Sequence, residues 1–163
     1  VLTELPNRLL FGDRLDHAID RARRDGEALA LLFIDLDRFK SINDTLGHHV
    51  GDQLLIQAAN RLRQLVRRAD TVARLGGDEF VVLMENGASR AAAEHLADKI
   101  VAAFGQAFPV AGTAVHVGCS IGIAVHPADG ADAVTLLKNA DAAMYRAKDA
   151  GARQAAPGKG SLA

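Results

Sequence analysis

Apolar residues recur along this chain with two spacings, one typical of helices and one typical of buried strands. Helical spacing predicts five helices, at residues 7–24, 38–47, 50–66, 88–104 and 137–151. Short apolar runs predict strands at 28–35, 70–75, 79–84 and within 113–127. The order α-β-α-α-β-β-α-β-α, with a hairpin in the middle, predicts an α+β domain whose helices flank a mixed central sheet.

Composition narrows the classes of protein that this sequence fits. With 163 residues, 49% of them hydrophobic, the chain suits one domain with a proper core. A net charge of −1 argues against DNA or RNA as a partner. The single cysteine, Cys119, excludes an internal disulfide and fits the cytoplasm. We expect this domain to make no membrane contact. The start at Val1 suggests that it belongs to a longer protein, and a membrane anchor elsewhere in that protein is compatible with this expectation.

Two adjacent acids, Asp78 and Glu79, follow a glycine pair between two predicted strands. Gly76 and Gly77 allow positive φ and a tight reversal of the chain. They also leave no side chain between the backbone and a ligand above the turn. Asp78 is therefore predicted to start a strand beside an open surface.

A second acidic pair, Asp35 and Asp37, closes the first predicted strand. If this strand lies beside the hairpin, the carboxylates of Asp35 and Asp78 lie close together and repel unless one is protonated or a cation binds. Oxygen ligands without nearby His or Cys favour Mg²⁺ shared with substrate phosphates. The alternative is that these acids are turn and cap residues on a solvated rim.

Four segments together resemble one protein family. They are "LTELPNR" (2–8), "DLDRFKSINDTLGHHVGD" (35–52), "RLGGDEF" (74–80) and "ADAAMYRAKDAG" (140–151). In this order they are similar to the landmarks of the GGDEF family of diguanylate cyclases. The resemblance implies a palm-like sheet shared with nucleotidyl cyclases, with the signature turn on a β-hairpin. It also implies a nucleotidyltransferase that joins two GTP into cyclic di-GMP and releases two pyrophosphates.

The resemblance also implies roles for individual residues. Two Mg²⁺ or Mn²⁺ ions per active site would be held by Asp35, the carbonyl of Leu36 and Asp78. Asp78 would act as the base, and Glu79 would assist the metal or order the turn. The resemblance implies that Asn43 and Asp52 bind the guanine. The phosphates would be bound by Arg38, Phe39, Lys40 and Lys148, and the substrate would approach the turn at Gly76 and Gly77, which has no side chains. Without the resemblance, Asn43 and Asp52 read equally well as ordinary helix residues, and the alternative for Lys148 is a solvated lysine at a helix end.

Arg67 and Asp70, in "RRAD", stand at the family's spacing for an inhibitory site just before the signature. A guanidinium and a carboxylate there would grip the phosphate and guanine of cyclic di-GMP. Two departures from the family pattern affect other positions. Glu4 replaces a usual glycine, and Ala152 replaces a usual phosphate-binding arginine, with Arg153 one residue later.

The resemblance implies a homodimer, because each subunit presents one GTP and the attack crosses the interface. The domain is expected to cover residues 1–151, followed by a flexible tail at 152–163. The alternative function is a catalytically weak regulatory module that binds GTP or cyclic di-GMP and controls an adjacent EAL phosphodiesterase, a sensor or another domain.

Overall fold

The computed structural model describes residues 2–154, with side chains described up to residue 149. The strands are β1 (Leu29–Leu36), β2 (Thr71–Gly76), β3 (Glu79–Met84), β4 (Phe108–Val110), β5 (Thr113–Val115) and β6 (Cys119–His126). The helices are α1 (Arg8–Asp25), α2 (Phe39–Leu46), α3 (His48–Leu65), α4 (Arg90–Phe104) and α5 (Ala133–Gln154). None of these helices is long and apolar enough to span a lipid bilayer.

The central sheet has the strand order β2-β3-β1-β6, and every neighbouring pair in it is antiparallel. The prediction of a mixed sheet was therefore wrong, although the α+β class is confirmed. The connections from β1 to β2 and from β3 to β6 do join strands that run in the same direction. Each connection passes over one intervening strand, so the parallel strands are not neighbours, and spacing along the chain does not reveal this.

The predicted hairpin is formed by β2 and β3, with a register shift between Arg74 and Gly76. The strand predicted within 113–127 is divided into β5 and β6, and β5 pairs with β4 in a separate small hairpin. Three-residue strands are too short to give an apolar alternation, so β4 was not foreseen. Helix α5 continues past the end predicted near Gly151, and residues 155–163 of the predicted tail lie outside the described part of the chain.

The sheet has an apolar cluster on each face, which explains why all eight residues of β1 are buried. Leu32 and Ile34 face the cluster that α3 and α4 complete, whereas Leu31 and Phe33 face the cluster that α1 and α5 complete. Side chains alternate along a strand, so Asp35 lies on the α1/α5 face. The carboxylate at the end of β1 therefore points toward the last helix.

Helix α5 packs directly against β6 at Gly122. A Cβ atom at this position would overlap the backbone nitrogen of Met144 and the carbonyl oxygen of Ala140. The absence of a side chain lets the helix backbone touch the strand. Lys148 follows Met144 by one helical turn, so this contact also sets its distance from the end of β1.

The N-terminal motif braces the hairpin and starts α1. The Asn7 side chain accepts a hydrogen bond from the Leu10 N–H at 3.0 Å and caps the helix. The Pro6 carbonyl accepts one from the Arg74 N–H at 3.1 Å. Glu4 has φ 60°, a left-handed conformation that favours glycine, which accounts for the glycine that the family pattern has at this position.

We predict that Gly122→Ala destabilises the domain by roughly 3 kcal/mol, because the added methyl group meets backbone atoms that cannot rotate away. The free energy of unfolding in urea measures this. Gly12→Ala in α1 is the matched control: no described atom lies within 4 Å of a Cβ there, so a gain of up to about 1 kcal/mol is expected. Equal effects of the two substitutions would contradict the close approach of α5.

Candidate functional site

The end of β1 and the glycine turn meet at one edge of the sheet. The Leu36 N–H donates to the Asp78 carbonyl at 3.3 Å, and Asp35 lies opposite Glu79 in the β1–β3 ladder. The Asp78 carboxyl lies close enough to that of Asp35 to raise its pKa. The structure thus brings together the two carboxylates that the sequence placed at separate strand ends.

Asp35 is the buried centre of this arrangement, with 8% of its surface exposed. Its pKa is raised to about 6: burial is the largest cause, Lys148 lowers the pKa, and the neighbouring Asp78 carboxyl raises it. Its Oδ2 accepts a hydrogen bond from Lys148 Nζ at 2.5 Å. Its Oδ1 is buried and receives no hydrogen bond from any described residue. One oxygen is therefore neutralised by an ammonium group and the other is left for a ligand.

Lys148 is the cation of the site. Burial by itself would lower its pKa, but the hydrogen bond to Asp35 and the charges of Asp35, Asp37 and Asp78 raise it. About a third of its side chain is exposed. The ammonium group is thus held charged at an accessible edge, where a phosphate oxygen can compete for it.

Two residues that sequence reasoning missed extend the charge network. Asp141 has a buried Oδ1 without a hydrogen-bond partner among the described side chains, and burial and the charge of Asp35 raise its pKa. Arg8 lies 4.0 Å from Glu79, whose pKa is also raised by burial and by Asp35. Asp141 and Lys148 are seven residues apart, two helical turns on one face of α5, which is a signal that could have identified Asp141.

The glycine turn leaves space for a ligand and is held in shape by hydrogen bonds from Arg74. Gly76 has φ 152° and Gly77 has φ 47°, and a Cβ built on either would meet no described atom within 4 Å outside the adjacent residues. The Arg74 guanidinium donates to the Gly77 carbonyl from Nε at 3.0 Å and from a terminal nitrogen at 2.8 Å. Arg74 was not assigned a role from the sequence. Its hydrogen bonds fix the shape of the turn, and the space next to the two glycines stays open.

The chain between β1 and α2 forms a tight bend beside the acids. The Asp37 N–H donates to the Gly118 carbonyl at 2.9 Å, and the Ser120 hydroxyl donates to Asp37 Oδ1 at 2.8 Å. Arg38 has φ 58° and precedes α2 without a capping side chain. Phe39 and Lys40 therefore lie in an uncapped first turn, where backbone N–H groups favour an anion.

The predicted guanine readers lie on α2 and α3. Asn43 is half-buried and its Oδ1 has no hydrogen-bond partner within the described part of the chain. Its side chain rests against Gly51 of α3, and a Cβ there would overlap Asn43 Oδ1. Asp52, the next residue, is exposed. Gly51 was not singled out from the sequence.

The residues present fit a magnesium ion that is shared with a substrate. In the part of the chain whose side chains are described, no three His, Cys, Asp or Glu residues converge as a complete metal site. Asp35 and Asp78 do converge, and the free Oδ1 of Asp35 is a buried hard donor. Mg²⁺ commonly uses one or two carboxylates and takes its other ligands from phosphates and water.

Arg67 and Asp70 are already bonded to each other. The Asp70 carboxylate accepts from the Arg67 guanidinium at 3.1 Å and from the Arg67 N–H at 3.0 Å, and its side chain is only 1% exposed. The guanidinium also donates to the carbonyls of Glu85 and Asn86. The predicted inhibitory pair therefore links the start of β2 to the end of β3, with the arginine half exposed.

Two carboxylates meet beside a glycine turn on a β-hairpin, which is the arrangement expected from the sequence motifs. The chain belongs to the GGDEF family: the model of the diguanylate cyclase GGDEF domain matches residues 1–154. The fold agrees with solved members. The GGDEF domain of TpbB from Pseudomonas aeruginosa superposes with a TM-score of 0.88 at 47% identity, over 90% of this chain and 92% of that one.

Curated relatives carry different activities in their names. The bifunctional diguanylate cyclase/cyclic di-GMP phosphodiesterase MucR of Pseudomonas aeruginosa is 53% identical over 92% of this chain. The cyclic di-GMP phosphodiesterase PdeR of Escherichia coli is 39% identical over 94% of it. The chain spans only 22% of MucR and 23% of PdeR, so these names describe much longer proteins.

We predict that metal-free protein loses stability as the pH rises from 3.8 to about 6. In this interval the folded chain keeps the Asp35 proton that the unfolded chain has lost, so the free energy of unfolding falls. Glu79 and Asp141 act in the same direction because their pKa values are also raised. Asp35→Asn should make the slope shallower in urea titrations at several pH values; an unchanged slope would contradict the buried carboxyl.

Proposed function

We propose that this domain is a diguanylate cyclase that condenses two GTP into cyclic di-GMP and two pyrophosphates. The observation that supports this most strongly is the meeting of Asp35, Asp78 and Lys148 beside a turn without side chains. A turn or cap role alone does not explain a buried carboxylate with a free oxygen. Because GTP is the substrate, we place the domain in the cytoplasm.

In this proposal the acids hold the metal and the proton. Asp35, the Leu36 carbonyl and Asp78 would bind two Mg²⁺ or Mn²⁺ ions. Bound metal would lower the pKa of the attacking hydroxyl and neutralise phosphate charge. Asp78 would accept the proton of the ribose 3′-hydroxyl while the hydroxyl oxygen forms a bond to the α-phosphorus of the other nucleotide. The bond from that phosphorus to pyrophosphate breaks, and pyrophosphate leaves. Glu79, held near Arg8, would order the turn.

The remaining residues would bind and orient GTP. The N–H groups at Arg38 and Phe39, together with Lys40 and Lys148, would meet the phosphates. The open surface over Gly76 and Gly77 would let the nucleotide approach the backbone. Asn43 and Asp52 would bind the guanine edge, and adenine would leave their polar groups without partners.

Each chain would bind one GTP and so supply half of the complete active site. We therefore propose that catalysis needs a homodimer in which two GTP molecules face each other. The first bond joins nucleotides bound by different chains, and a second attack closes the ring. Activity per chain should therefore increase with protein concentration.

We predict that Asp78→Ala lowers cyclic di-GMP synthesis at least about 100-fold, because the proton acceptor and a metal ligand are both lost. Chromatography of nucleotides after incubation with GTP and Mg²⁺ measures the product. Asp98→Ala, which removes an exposed acid from α4, is the matched control and should retain activity. Full synthesis by Asp78→Ala would contradict the assignment.

We further propose that cyclic di-GMP inhibits the enzyme at Arg67 and Asp70. The guanidinium is half exposed, whereas Asp70 is covered by it, so product must replace part of their mutual bonding. A phosphate is a stronger bidentate partner for arginine than a backbone carbonyl is. The inhibited state would thus rearrange a contact that links β2 to the end of β3.

We predict that Arg67→Ala raises the concentration of cyclic di-GMP needed for half-inhibition by about tenfold or more. Lys138→Ala, which removes an exposed cation from α5, should leave inhibition unchanged. Initial rates at increasing product concentration measure the effect, and a thermal melt of each variant accounts for the lost carbonyl contacts of Arg67. Unaltered inhibition in folded Arg67→Ala would refute the site.

The second candidate is a regulatory module that binds GTP or cyclic di-GMP and controls an adjacent EAL, sensor or other domain. It is favoured by the names of MucR and PdeR and by the small share of each that this chain covers. Ala152 and Arg153, which bear on phosphate affinity, have side chains outside the described residues. GTP binding without any product at high protein concentration would favour this candidate.

A further inference from the structure

Gly51 occupies an unusual place for a glycine. It is buried in the first turns of α3 and lacks the positive φ that would require glycine. Inside a helix, alanine is favoured over glycine, since glycine loses more backbone freedom on folding. The reason for glycine must therefore lie in what surrounds it.

The surroundings are the side chains of α2. A Cβ at residue 51 would overlap Asn43 Oδ1, lie 2.9 Å from Asn43 Cγ and lie 3.4 Å from Phe39 Cζ. The Asn43 amide thus fills the space that any other residue at 51 would occupy. Asn43 Oδ1 accepts no hydrogen bond from a described residue. The contact that holds this end of the amide is therefore its packing against Gly51.

We propose that Gly51 is a positioning residue for base recognition, which sets the amide of Asn43 where it can bind guanine. This inference rests on the proposed function, in which Asn43 and Asp52 read the base. Gly51 immediately precedes Asp52, so the residue that contacts one proposed reader is adjacent in the chain to the other. A side chain at 51 would move Asn43 and weaken guanine binding while the phosphate contacts of Lys40 and Lys148 remain.

The test measures dissociation constants by calorimetry with Mg²⁺ and two nucleotides that lack the attacking hydroxyl, 3′-deoxy-GTP and 3′-deoxy-ATP. Gly51→Ala should weaken 3′-deoxy-GTP about tenfold and leave 3′-deoxy-ATP unchanged, so the guanine preference falls by that factor. Gly12→Ala, a helix glycine with open space around it, should keep the preference of the parent chain. A general structural defect would weaken both nucleotides equally.

A double-mutant cycle identifies the partner. In an Asn43→Ala background the obstructing amide is gone, so adding Gly51→Ala should have no further effect on either nucleotide. If Gly51→Ala fails to fold, Asn43→Ala/Gly51→Ala should fold, as judged by circular dichroism and a thermal melt. Failure of both variants to fold would overturn the packing argument.

The remaining outcomes separate this inference from the proposed function. A parent chain that prefers 3′-deoxy-GTP, with a Gly51→Ala variant that prefers it equally, overturns the positioning role alone. Additive effects of the two substitutions also overturn it, because Gly51 would then act through another residue. A parent chain that binds neither nucleotide overturns the proposed function and this inference with it.

Discussion

The end of β1 carries a carboxylate that is almost completely removed from water, and the architecture around it follows from that constraint. The pKa of Asp35 is raised to about 6, chiefly by burial, and the adjacent Asp78 acts in the same direction. Lys148 offsets this with a 2.5 Å hydrogen bond to one oxygen. A buried charge pair of this kind is weak evidence for stability but strong evidence for a site, because apolar residues would pack there with less desolvation.

Backbone contacts keep these charges in place. The Asp37 N–H is held by Gly118, the turn is braced by Arg74, and α5 approaches β6 through Gly122. Ligand-facing groups are therefore mounted on parts of the chain that are themselves fixed by hydrogen bonds or close packing. In the proposed enzyme, Asp35 would hold a metal ion and Lys148 would contact the phosphates, so the same lysine would stabilise the empty and the loaded site in turn.

Much of this arrangement could be predicted from the sequence because it depends on local signals. The buried run that ends in Asp35 and the glycine pair before Asp78 indicated two strand ends with acids, and the structure brings these acids together. Features that depend on contacts between distant segments were not predictable in the same way. The antiparallel order of the sheet is set by which strands become neighbours, and the bonds from Arg67 to the carbonyls of Glu85 and Asn86 join segments that are distant in the sequence. Gly51 allows the close packing of Asn43 because it has no side chain, and a missing side chain adds nothing to the periodic pattern of apolar residues.

The lysine of the site belongs to the last helix, 113 residues after its acidic partner. A ribosome therefore releases the sheet before it releases the residue that neutralises Asp35. Nascent chains that have emerged only as far as β6 carry Asp35 without this counter-ion. In the proposed enzyme, a chain that stops at β6 would therefore lack the lysine that the site needs.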